Sequence, residues 1–149
     1  MNAGFATFYG TFSPRLDEKG RLTLPARFRS FFEDGVVLTR GQEHCVYGWT
    51  PTDHQAFAQK ARQMPFTHAE SRNFVRMFFS GMTQEVPDKQ GRVSIPPQLR
   101  AWASLDRECT VVGAMDRIEI WDSARWAEFE ASQEEAFAGM SEGAMPGMD

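Results

Sequence analysis

Two nine-residue stretches hold the side chains best suited to chemistry. Asp17-Glu18-Lys19-Gly20-Arg21-Leu22-Thr23-Leu24-Pro25 and Asp88-Lys89-Gln90-Gly91-Arg92-Val93-Ser94-Ile95-Pro96 each set a carboxylate four residues before an arginine, with glycine directly ahead of that arginine. Two carboxylates invite a general acid–base reading. Aspartate, however, suits the first position of a type I turn, and glycine the position that needs positive φ. Turn formation therefore accounts for Asp17, Gly20, Asp88 and Gly91 better than catalysis does. Arg21 and Arg92, with Arg15, Lys19 and Lys89, gather cations around the turns, and Arg27, Arg29 and Arg100 extend the clusters. Guanidinium forks match phosphate oxygens and guanine edges, which points to nucleic acid. The competing readings are a solvated charged surface, or an ion pair between each arginine and the aspartate four residues before it.

Other chemistries lack their signatures. His44, His54 and His68 have no metal-ligand spacing with one another or with Cys45 and Cys109. Neither a nucleophile elbow nor a glycine-rich phosphate loop is present. The sequence thus predicts no enzyme, no cofactor, no metal and no small-molecule substrate. The two cysteines read as reduced thiols of a cytoplasmic protein. No apolar run reaches the ~18 residues of a membrane span, and no secretory signal is visible at the N-terminus. The net charge of −4 argues against a polyanionic partner until its distribution is considered. Residues 116–149 hold nine acidic and two basic side chains, a balance of −7, so residues 1–115 carry +3. Positive surface remains available around the turns.

The elements that position these groups come from an internal duplication. The turns lie 71 residues apart, and the same offset aligns Gly10 with Gly81, Pro25 with Pro96 and Arg29 with Arg100. An offset of 72 aligns Trp49 with Trp121 and Phe57 with Phe129. In each copy a strand enters the turn and a short alternating strand leaves it, with Leu22 and Leu24, or Val93 and Ile95, facing inward. Pro25 or Pro96 ends that strand and begins a short helix, buried through Phe28, Phe31 and Phe32 or through Leu99 and Trp102. Strands over 36–39, 45–49, 109–112 and 118–121 follow. Each copy closes with a helix, capped by Thr50 ahead of Pro51 in the first and by Asp122 or Ser123 in the second. Between the copies, Thr67-His68-Ala69-Glu70 reads as a capping box opening a helix through Phe74, Met77 and Phe78, with Arg72 and Arg76 on a common face. The fold class predicted is mixed α/β and β-rich: two tandem β modules with short helices, interleaved as a pseudo-dimer, because copies of about 60 residues are marginal alone. The divisions are a first repeat over 5–64, a connecting helix over 65–80, a second repeat over 81–138, and a tail over 139–149 expected to be disordered.

DEKGRLTLPARFR and DKQGRVSIPPQLR, separated by ESRNFVRMFFSGMTQEVPD, resemble the MraZ family, bacterial proteins built from two SpoVT-AbrB-type domains. The likeness covers roughly residues 5 to 130. It implies an AbrB-like swapped-hairpin fold and assembly into a ring-shaped homo-oligomer. It also implies a repressor, cytoplasmic and nucleoid-associated, that binds tandem short repeats of double-stranded DNA upstream of the division and cell-wall gene cluster, its own gene included. The family's DNA-contacting hairpin maps onto Asp17, Lys19, Gly20 and Arg21, and onto Asp88, Gly91 and Arg92. In the second copy Gln90 replaces the turn lysine and Lys89 sits one place earlier, which leaves the equivalence of the two hairpins open. The alternative is an interaction module like the antitoxin relatives of the same domain, which the acidic C-terminal part favours and the duplication disfavours.

Overall fold

The structure, a computed structural model, describes residues 6–140. Eight short strands, all paired antiparallel, carry the fold: β1 (Thr11–Phe12), β2 (Arg21–Thr23), β3 (Val36–Arg40), β4 (Val46–Trp49), β5 (Thr83–Glu85), β6 (Arg92–Ser94), β7 (Cys109–Gly113) and β8 (Ile118–Asp122). The helices are α1 (Pro51–Ala61), α2 (Ala69–Ser80), α3 (Pro97–Trp102) and α4 (Ser123–Ala138), with a 3-10 run at Ala26–Phe32. Among the described residues no helix is long and apolar enough to cross a membrane.

Pairing across the two copies dominates. The six-stranded sheet runs β1-β7-β8-β4-β3-β5, so each copy lends its first strand to the edge of the other. The centre joins the copies as well, with Val46 opposite Ile120 and Gly48 opposite Ile118. A separate two-stranded ribbon pairs β2 with β6, Leu22 opposite Val93. The order is symmetric about the β8–β4 boundary, which makes the chain a pseudo-dimer.

Two-residue periodicity sends alternate side chains to opposite faces of the large sheet. One face packs against the ribbon and the short helices. There Leu22, Phe28, Phe32, Val93 and Leu99 meet Val36, Leu38, Val46, Val111 and Ile120. The other face is aromatic, with Tyr47, Trp49 and Trp121 under α1, α2 and α4, and with Phe78 of α2 packed onto it. Cys45 and Cys109 are buried free thiols; burial pushes both up, Cys109 to about 11.

Several local expectations change. The first short helix is 3-10, and Pro25 and Pro96 stand as caps one residue ahead of their helices. α1 begins as read, the Asp53 N–H donating to Thr50 Oγ1 at 3.0 Å, and α4 is capped by Asp122, which accepts from the Arg125 N–H at 3.2 Å. The capping box at Thr67 does not form. His68 holds the cap position of α2 without a side-chain bond, because a turn from Pro65 to His68 delays the helix by one residue. Phe74 and Phe78 face inward there, whereas Met77 is exposed. The expectation of a disordered tail falls, past Met140, outside the described residues.

Candidate nucleic-acid interface

Each Asp-x-x-Gly-Arg turn is organised by its aspartate. Asp17 Oδ1 accepts from the Lys19 and Arg21 N–H groups at 2.9 and 2.8 Å, and Oδ2 accepts from Arg21 Nε at 2.8 Å. Asp88 does the same for Gln90 and Arg92, at 2.9, 2.9 and 2.7 Å. Gly20 and Gly91 close the turns with φ of 77° and 78°, a region open to glycine at little strain. The N–H of Arg21, its guanidinium and the Lys19 N–H hold the Asp17 carboxyl below the usual carboxylate range, and Arg92 and Gln90 do so for Asp88. Replacing lysine by glutamine at Gln90 leaves the turn backbone unchanged, since the bond comes from the main chain.

The ion pairs engage only Nε of each arginine. Among the described residues, the terminal nitrogens of Arg21 and Arg92 make no hydrogen bond to protein, and both side chains remain about a third exposed. The aspartates thus aim the guanidiniums and leave their outer edges open. The β2–β6 register then groups them. Arg21 pairs with Ser94 and Thr23 with Arg92, so four polar side chains share the outward face while Leu22 and Val93 point into the core. The arginines occupy diagonal corners of this face, with Cα atoms roughly 7–8 Å apart.

Two arginines complete the arrangement from the opposite copy. A Cβ placed on Gly20 would collide with Arg100 Nη1, and one on Gly91 would lie 2.5 Å from Arg29 Nε. Each turn is therefore overlain by an arginine of the other repeat. Arg29 is held there by its Nε donating to the Leu24 carbonyl at 3.1 Å. Crossed main-chain bonds, from the Leu24 N–H to the Gly91 carbonyl (2.8 Å) and from the Ile95 N–H to the Gly20 carbonyl (2.9 Å), fix the turns to each other. From the sequence Arg29 and Arg100 are only outlying members of the cationic clusters, aligned by the repeat; their proximity to the far turns depends on strand exchange.

The structure spreads the remaining candidates. Lys19 and Lys89 are exposed at the turn tips. Arg15 lies outside the β2–β6 ladder, paired through Nε with Glu108 at 3.0 Å. It lines a cleft of about 520 Å³ with Asp17, Gly20, Arg100 and Arg107.

Residues 7–77 and 78–145 each match the family model described as "MraZ protein, putative antitoxin-like". The chain belongs to the MraZ family. A relative named transcriptional regulator MraZ from Leifsonia xyli subsp. xyli (strain CTCB07) is 51% identical over 141 residues, covering 95% of this chain and 99% of the relative. Those of Parafrankia sp. (strain EAN1pec) and Micrococcus luteus are 51% and 48% identical with the same coverage. These MraZ relatives are named for regulating transcription, not for catalysis. The two MraZ matches meet at residues 77 and 78, inside α2.

Proposed function

We propose that this chain is a DNA-binding repressor that acts through its paired Asp-x-x-Gly-Arg turns. The observation that carries the reading is the ribbon face, on which two guanidiniums are aimed by carboxylates yet keep their outer edges free. Such forks suit phosphate or guanine acceptors of double-stranded DNA, and a β-ribbon fits the major groove. One turn pair alone would bind weakly and lose affinity steeply with salt. A ring-shaped homo-oligomer presents many pairs, and tandem short repeats upstream of the division and cell-wall genes, its own included, would let several engage at once. Nucleoid association in the cytoplasm follows from this reading.

The test is binding to the DNA upstream of the chain's own gene, titrated with salt against a scrambled duplex of equal length. The reading expects preference for the upstream DNA and several counterions released per complex. Equal affinity for both duplexes at every salt concentration would sink it, and would favour the interaction-module alternative.

A further inference from the structure

α1 and α4 are counterparts in the repeat, yet they are not covered alike. Above α1, Phe78 of α2 packs on Trp49 and Phe57 at ring distances of 5.5 and 5.1 Å, and Phe74 stacks on Phe78 at 5.0 Å. In the second copy the matching Trp121 and Phe129 lie 5.0 Å apart, and among the described residues Trp126 is the one further ring beside them. No second α2 exists among the described residues, and a cleft of about 490 Å³ opens along Trp121, Arg125, Glu128 and Phe129. Residues 130–138 of α4 are all exposed, with Glu130, Glu134, Glu135 and a Phe137 that is 74% accessible.

The opposite character lies between α1 and α2. A cleft of about 360 Å³ there is lined by Arg62, Arg72 and Arg76 with Met64, Phe66 and Val75, and by no carboxylate. Phe66 is 81% accessible, and its carbonyl accepts from Arg72 Nη1 at 3.0 Å. Among the described residues none of these three arginines is in an ion pair, and neither is Glu128, Glu130, Glu134 or Glu135.

We infer that these surfaces are the two halves of one contact, in which α4 of one copy lies in the α1–α2 cleft of the next. The occupant is a second copy of this chain, since one chain carries both a basic, aromatic-edged cleft and an unpartnered acidic helix ending in Phe137. Contact between two different patches is head-to-tail, and a head-to-tail contact closes into a ring when its rotation allows. The neighbouring α2 supplies the aromatic cluster of the second copy with the cover that the first copy has internally. This inference rests on the ring assembly proposed above and adds which surfaces meet.

Charge reversal tests it. Glu134→Arg/Glu135→Arg makes the α4 face basic, and Arg62→Glu/Arg76→Glu makes the cleft acidic; all four residues are exposed, so the fold should persist by circular dichroism. Sedimentation velocity at micromolar concentration should show each variant falling to smaller species while the wild-type chain stays assembled. An equimolar mixture of the two should reassemble, because each reversed surface then meets its complement. Assembly of either variant indistinguishable from wild type would overturn this interface while leaving the ring intact. Failure of the mixture to reassemble would overturn it too. A wild-type chain that sediments only as monomer would remove the ring itself, and this contact with it.

Discussion

Arg21→Ala separates aiming from binding. The substitution removes the guanidinium but leaves Asp17 Oδ1 accepting from two backbone N–H groups at 2.9 and 2.8 Å, and leaves the Gly20 N–H donating to the Asp17 carbonyl at 3.0 Å. The β2–β6 ladder is main chain and also survives. The melting temperature should therefore change by no more than about 2 °C. What disappears is a pair of open terminal nitrogens. A base contact of that kind is worth ~1–3 kcal/mol, or about 5- to 150-fold in affinity per engaged turn. With two equivalent turns engaged in one ring, the losses multiply to at least about 25-fold. Arg21→Lys keeps the charge and loses the fork, so it should recover most of the affinity if the acceptor is a phosphate and little if it is a base edge. If the acceptor is a phosphate, losing the cation in Arg21→Ala should also lower the magnitude of the salt slope by about 1 per lost contact, whereas Arg21→Lys should keep it. The assay is fluorescence anisotropy on the upstream duplex across a salt series, beside a thermal melt of the same sample. Unchanged affinity in a folded Arg21→Ala chain, or a loss that only tracks unfolding, would refute the reasoning.

Arg92→Ala should weaken binding by the same mechanism but less, because the second turn has glutamine where the first has lysine; equal or larger losses in the same anisotropy assay would contradict this. Gly20→Ala should destabilise the fold by about 1–2 kcal/mol, since its φ is 77° and its Cβ would displace the Arg100 guanidinium, and a melt unchanged from wild type would argue against that packing. Asp17 and Asp88 have folded values below their ordinary 3.8, so their contribution is full above that pH and is lost as pH falls through the lower folded values. Acid unfolding of Asp17→Asn/Asp88→Asn followed by circular dichroism should accordingly decline less steeply below pH 4 than wild type. Residues 1–64 alone should be unfolded or self-associated, since β1 and β2 lack their partners, β3 keeps β4 but loses β5, and β4 loses β8; a monomeric fragment melting cooperatively would refute the interleaved core.

What could be read in the sequence was local. Leu22 and Leu24 alternate with Arg21 and Thr23, and the turn residues declare themselves by chemistry, so both ribbon strands and their polar face were legible. The repeat offset made the interleaved core legible, because copies this small cannot bury enough surface separately. The partner of each strand was not. Nothing in Thr11–Phe12 says that it completes the sheet beside Val111 and Val112, since edge pairing is set by the closure of the whole core. The same gap concealed Arg29 and Arg100, whose periodicity places them on short helices but not over the other repeat's glycine. The Thr67 pattern misled because the preceding Pro65 turn, a competing local preference, took the residues the cap needed.

Strand exchange also sets a clock on synthesis. β3 at Val36–Arg40 acquires its outer neighbour only when residues 83–85 exist, and Leu22 meets its counterpart only with Val93. At ~5–20 residues per second, a nascent chain carries β3 for roughly 2–9 s before β5 has been made, and Leu22 for roughly 4–14 s before Val93. During that interval an unpaired strand edge and a row of bare leucine and phenylalanine side chains face their neighbours on the same message. A ribosome just ahead offers the missing strands already synthesised. Crowded translation therefore favours exchange of halves between chains, and slow initiation on this message would protect the correct intramolecular pairing.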